Sequence, residues 1–124
     1  MPKLSRAVAL VDDNASLLRA LERCLAAHGY RVQAFASAEQ YLAEVDAGEI
    51  ACAVIDVELG AGLSGLDLGE AISCAHATPI VFMTGSRDTE YFKRARDIGC
   101  IDFLLKPFDM SRLIAAITKA AEGS

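Results

Sequence analysis

The 124-residue chain has no apolar stretch long enough to cross a bilayer, which excludes a membrane-spanning helix. Its first six residues, Met1-Pro2-Lys3-Leu4-Ser5-Arg6, lack the apolar core of a secretory signal. No repeat, low-complexity tract or Pro/Gly/Ser linker divides it, so a single domain spanning residues 1–124 is expected. Positive charge is in deficit: a formal net charge of -5 disfavours direct binding of nucleic acid, whose phosphates want the opposite sign. Cys24, Cys52, Cys74 and Cys100 include no close pair, which excludes a zinc knuckle or dithiol redox motif. They read instead as small buried hydrophobes in a reducing cytoplasm, Cys52 in a strand and Cys24 on the apolar face of a helix. His28 and His76 are too isolated to form a metal or catalytic group, and His28, just before Gly29, suits a helix C-terminus.

What remains is a chain 53% apolar and 23% charged, as in a soluble globular domain with one good core. Short apolar runs alternate with helical patterns from end to end. The run Ala7-Val8-Ala9-Leu10-Val11 has the length and bulk of a buried parallel strand. Leu17, Leu18, Leu21 and Leu25 then recur at helical spacing until Gly29. A second strand is expected over 30–34. Ser37 with Gln40 makes a capping box for a second helix that buries Tyr41, Leu42 and Val45. A third strand, Ala51-Cys52-Ala53-Val54-Ile55, precedes a glycine-rich loop through Gly60, Gly62 and Gly65. The third helix carries Leu68, Ala71, Ile72 and Ala75. Pro79 opens a fourth strand, Ile80-Val81-Phe82-Met83, and the fourth helix presents Tyr91, Phe92 and Ala95 before Gly99. After a fifth strand over 101–105, Asp109 caps a last helix built on Leu113, Ile114, Ile117 and Ala120.

Five βα units in succession imply an α/β doubly wound parallel sheet with right-handed crossovers. Strand order is not written in the sequence, but the flavodoxin-like order 2-1-3-4-5 fits five units. Its ligand site lies outside the carboxyl ends of strands one and three. Those strands end in Asp12-Asp13 and in Asp56. Three carboxylates at one edge repel one another unless a hard cation neutralises them, so they read as a magnesium site. Strands four and five bring Thr84 and Lys106 to the same edge.

That set suits transfer of a phosphoryl group to a carboxylate. Asp56 is the expected nucleophile. Asp12 and Asp13 hold the metal, which bridges to Asp56 and the incoming group. Thr84 donates a hydrogen bond to one phosphoryl oxygen, Lys106 sets a fixed cation beside another, and Gly85 leaves room for approach. Each residue also has a plainer explanation. Asp12-Asp13 suits a helix N-terminus, Asp56 a turn, and strand ends commonly turn polar. Four strand ends carrying the required types in the correct order outweigh those explanations together.

With these residues in place, the chain closely resembles the receiver domain of two-component response regulators over essentially its whole length. The resemblance rests on Asp12-Asp13, Asp56, Thr84 and Lys106-Pro107 at the expected intervals. The segment Phe35-Ala36-Ser37-Ala38-Glu39 further resembles receivers of the nitrogen-fixation regulator type. The resemblance implies that a sensor histidine kinase or phosphotransfer protein donates phosphoryl to Asp56 with Mg2+, or Mn2+ in its place. It also implies a metal ligand in the Glu58 backbone carbonyl and a cis peptide between Lys106 and Pro107. Thr84 and Phe103 become the switch pair, Thr84 moving toward the phosphoryl group and Phe103 into the vacated space. They bias a surface of the fourth helix, fifth strand and fifth helix, which faces a downstream protein, an output domain or a second copy of the chain. Such a domain catalyses only its own phosphorylation and dephosphorylation, and works in the cytoplasm.

Two departures from the family pattern stand out. Gly60 replaces the usual proline and the loop before Gly65 is one residue longer, which predicts a looser loop. Glu58 places an extra acid beside the phosphoryl pocket. Phe103 also lacks the hydroxyl of the frequent tyrosine. Among rival functions, a haloacid-dehalogenase-type phosphatase wants an aspartate where Asn14 stands, and a flavodoxin wants a hydroxyl-rich loop where Asp12-Asp13-Asn14-Ala15 repels phosphate. An unphosphorylated receiver serving only as an interaction module is the remaining alternative.

Overall fold

A computed structural model describes residues 5–75 and 77–122; His76 lies outside the described residues. The chain forms β1 (Ala7–Val11), α1 (Ala15–Ala27), β2 (Val32–Phe35), α2 (Ala38–Glu44), β3 (Ile50–Asp56), α3 (Gly65–Ala75), β4 (Ile80–Thr84), α4 (Thr89–Ile98), β5 (Asp102–Leu105) and α5 (Met110–Glu122). A single 3-10 turn, Ala47–Glu49, leads into β3. All strand pairs are parallel, in the order β2-β1-β3-β4-β5. Among the described residues no helix is long and apolar enough to cross a membrane.

Alternation along the strands builds two cores. Val8, Leu10, Cys52 and Val54 face α1 and α5, where they meet Leu18, Leu21, Leu25, Leu113 and Ile117. Ala9, Val11, Ala53 and Ile55 face the other way, toward Tyr41 of α2, Leu66 and Ile72 of α3 and Ala95 of α4. Small alanines on this second side leave room for rings. Phe82 of β4 lies so close over α3 that a β-carbon at Gly69 would stand 2.4 Å from its ring.

Local signals set most helix boundaries. Asn14 caps α1 by accepting from the Leu17 N–H at 3.1 Å, and His28 closes it, its Nδ1 lying 2.8 Å from the Cys24 carbonyl oxygen. Ser37 caps α2 through the Gln40 N–H at 3.0 Å. The reciprocal bond runs to the Ala36 N–H rather than to that of Ser37. Gly99, in the left-handed region at φ 95°, ends α4.

Several side chains depart from the expected faces. Leu42 is 48% exposed, because short α2 reaches the sheet only through the stripe of Ala38, Tyr41 and Val45, and Leu42 lies one position round the helix. Cys24 is exposed because Leu18, Leu21 and Leu25 fill the buried stripe of α1, and Cys74 and Ala75 are exposed at the far end of α3. Only Cys52 is a fully buried thiol, and burial pushes its pKa up to about 12. On α4, Tyr91 packs with Ala95 and Ile98 against the core, whereas Phe92 is half exposed.

Candidate functional site

The strand register assembles the site. Val11 pairs with Ile55, so Asp12 and Asp56 leave their strands at the same level. Asp56 pairs with Met83, and Thr84 pairs with Leu105, which places Thr84 and Lys106 one step further along the same edge. Asp12 and Thr84 are fully buried, Asp56 nearly so, and Asp13 is exposed at the rim. The Lys106–Pro107 peptide is cis.

Lys106 is the hub of this edge. Its Nζ stands 2.8 Å from Asp12 Oδ2 and 2.8 Å from Asp56 Oδ2. The remaining oxygens are held by backbone: the Asn14 N–H donates to Asp12 Oδ1 at 2.8 Å, and the Glu58 N–H donates to Asp56 Oδ1 at 2.9 Å. Because Asn14 caps α1, neither aspartate is spent on the helix terminus. Burial pushes the Asp56 carboxyl above its ordinary range, against the opposing hydrogen bonds of Lys106 and Glu58. Burial also works to lower the Lys106 ammonium, but its bonds to Asp12 and Asp56 outweigh that and hold it above the ordinary value. The Asp56 shift is owed first to burial, and the Lys106 shift to two acids around one cation.

Asp12, Asp13 and Asp56 offer carboxylate oxygens that all lie within 4.8 Å of one another. The donors are oxygen only, which fits a small hard divalent cation such as Mg2+.

Thr84 spends its hydroxyl twice, donating to Glu58 Oε1 at 3.0 Å and accepting from the Ser86 N–H at 3.0 Å. Phe103 is half buried between two rings, its centroid 6.5 Å from that of Phe82 and 5.5 Å from that of Phe92.

The loop after Asp56 is anchored rather than loose. Gly60 and Gly62 adopt left-handed backbone at φ 66° and 89°. A β-carbon on Gly60 would meet Asp13 Oδ2 at 2.9 Å, and one on Gly62 would meet Glu39 Oε2 at 2.6 Å. Glu39 Oε2 accepts the Leu63 N–H at 2.8 Å, so α2 holds the loop tip. At its far end the Ser64 hydroxyl and Asp67 carboxylate cap α3 reciprocally.

Comparison with known proteins agrees with this layout. Residues 8–118 match the response regulator receiver domain. The chain belongs to that family. Nodulation protein W of Bradyrhizobium diazoefficiens is 37% identical over 116 residues, covering 93% of this receiver and 51% of its own length. Transcriptional regulatory protein FixJ of the same organism is 33% identical over 112 residues, covering 90% and 54%. The solved structure of FixJ-N superposes with a TM-score of 0.86 at 28% identity, covering 98% of this receiver and 97% of that chain. The receiver thus spans about half the length of the curated relatives it matches. Its likeness to FixJ agrees with the resemblance carried by Phe35-Ala36-Ser37-Ala38-Glu39.

The structure brings Asp12, Asp13, Asp56, Thr84, Lys106 and Glu58 together at one edge, with Phe103 further along β5. Sequence reasoning missed Asn14 as the helix cap, the Ser86 N–H on Thr84 and the grip of Glu39 on the loop. Asn14 carried a signal, as a preferred cap residue directly before a helical pattern. Glu39 carried none, because its contact is set by the packing of α2.

Proposed function

We propose that this receiver accepts a phosphoryl group on Asp56 from a phosphohistidine of a kinase or phosphotransfer protein. The observation that carries the reading is Lys106 Nζ bound at 2.8 Å to the carboxylates of both Asp12 and Asp56. An Asp56 oxygen attacks phosphorus as the bond from phosphorus to the donor imidazole nitrogen breaks, and that nitrogen keeps the electron pair. Lys106 offsets the negative charge that reaches Asp56, and the Thr84 hydroxyl turns to a phosphoryl oxygen. Asp12, Asp13, Asp56 and the Glu58 carbonyl would hold Mg2+ or Mn2+, which when bound supplies positive charge against the phosphoryl oxygens. Thr84 and Phe103 then pass the change to the surface of α4, β5 and α5, where Phe92 is 51% and Leu105 41% exposed. A kinase, an output domain or a second copy of the chain would meet the receiver in the cytoplasm, with residues 1–124 acting as one domain.

The test is incubation with acetyl phosphate and Mg2+ followed by intact-protein mass measurement. The expected result is one added phosphoryl mass that Asp56→Asn abolishes. Equal labelling of the two proteins would remove Asp56 from this role. Asp13→Ala should abolish the dependence on Mg2+; unchanged dependence would remove Asp13 from the metal site.

A further inference from the structure

Glu58 holds two functional groups at once. Its backbone N–H donates to Asp56 Oδ1 at 2.9 Å, while its side-chain Oε1 accepts the Thr84 hydroxyl at 3.0 Å. The residue itself is exposed, but the hydroxyl it binds belongs to a fully buried threonine. A hydroxyl has a single proton to give. Ser86 already fills an acceptor position of Thr84 Oγ1 from the other side, so the proton is directed at Glu58. A phosphoryl oxygen on Asp56 would ask for that same proton.

We infer that Glu58 is a positioning residue that restrains Thr84, its carboxylate competing with the phosphoryl group for the threonine hydroxyl. The inference rests on the reading of Asp56 as phosphoacceptor. A hydrogen bond to a charged acceptor is stronger than one to a neutral acceptor, so the restraint favours the unswitched orientation of Thr84. The freed carboxylate must also move away from the arriving negative charge. Both effects have one sign: Glu58 makes the phosphoryl-bound state harder to reach. They differ in what a neutral substitute does, because glutamine keeps an acceptor for Thr84 but carries no charge.

The experiment titrates beryllofluoride, a mimic of a phosphoryl group on a carboxylate, into the Mg2+-loaded protein. Binding is followed by nuclear magnetic resonance at the Ser86 amide and the Thr84 methyl. Glu58→Ala should bind the probe roughly tenfold more tightly than the unmodified protein, and Glu58→Gln roughly threefold. In a Thr84→Ala background the gain from Glu58→Ala should fall to the roughly threefold owed to charge alone, because the group it restrained is gone. Equal gains from alanine and glutamine that persist in the Thr84→Ala background would overturn the inference and leave charge repulsion as the cause. Without beryllofluoride, Glu58→Ala should shift the Ser86 amide and Thr84 methyl signals; unmoved signals would also overturn it. Failure of the phosphoacceptor reading looks different. The unmodified protein and Asp56→Asn would then respond alike to the probe, while the probe-free shifts would still judge the restraint on Thr84.

Discussion

Gly65 faces the backbone carbonyl of Asp56 so closely that a β-carbon at position 65 would stand 1.9 Å from the oxygen. The first residue of α3 is thereby pressed against the end of β3, and the Gly65 N–H donates to the Val57 carbonyl at 2.9 Å. This contact sets where the loop after Asp56 must rejoin the fold. Gly65→Ala should destabilise the domain by about 3 kcal/mol, since neither backbone segment is free to retreat. Chemical denaturation checks this, and a loss below about 1 kcal/mol would mean that the α3 terminus is free to shift.

The raised pKa of Asp56 predicts a pH-dependent cost of keeping an acid at this position. Burial disfavours its ionised form in the folded state, and the unfolded chain titrates near the ordinary value of 3.8. Well above the folded value both states are ionised and the penalty is full. As pH falls through the folded value the native state takes up its proton first, and the penalty vanishes below the unfolded value. Asp56→Asn should therefore raise the melting temperature by a few degrees at neutral pH, with the gap closing toward pH 3.8. Thermal melts across this range read the effect, and a constant gap would contradict it.

Glu39 predicts the opposite sign. The Leu63 N–H, followed by its own backbone N–H, holds its carboxyl below the ordinary value. Its grip on the loop is then present above the unfolded value and lost as pH falls through the lowered folded one. The protection of the Leu63 amide, measured against its intrinsic exchange rate at each pH, should persist at pH 4.5 and fall in more acid solution. Glu39→Gln should weaken this protection at neutral pH and remove its pH dependence. Protection in the Gln variant that still varied with pH would assign the effect elsewhere.

Gly69 and Phe82 should behave as a matched pair. Gly69→Ala drives a methyl group into the Phe82 ring and should cost about 1–3 kcal/mol. Phe82→Leu costs stability alone, through the space it opens. Combined, the two changes should be less damaging than the sum of the single ones, because the smaller side chain makes room for the methyl. Denaturation of all four proteins gives the coupling, and strict additivity would separate the two sites.

The chain order of buried runs made the parallel α/β class legible in the sequence. The flavodoxin-like strand order, which five units fit but the sequence does not write, implied the convergence of Asp12, Asp13, Asp56, Thr84 and Lys106. Asp12 and Asp13 share the end of β1, the others each stand at the end of their own strand, and a parallel sheet brings strand ends together. The division of Lys106 between Asp12 and Asp56 was not legible, because it depends on register and on side chains 94 and 50 residues away. The leucine and isoleucine stripes of α1 and α5 were read well, although Cys24 of α1 was placed on the wrong face. In seven-residue α2 a single turn decides the face, and Leu42 fell on the wrong side of it. The loop after Asp56 looked loose from its glycines alone. Its anchor to α2 is Glu39, which local sequence does not connect to it.

The rings of Phe82, Phe103 and Phe92 form a row from the α3 packing layer to the outer surface of α4. Aromatic rings shield or deshield nearby nuclei according to their tilt. A chain without tryptophan has no strong intrinsic fluorophore, yet this row gives it an intrinsic magnetic gauge. Any turn of Phe103 would change the shielding felt by its neighbours on both sides, so the row would report such a turn from within the protein.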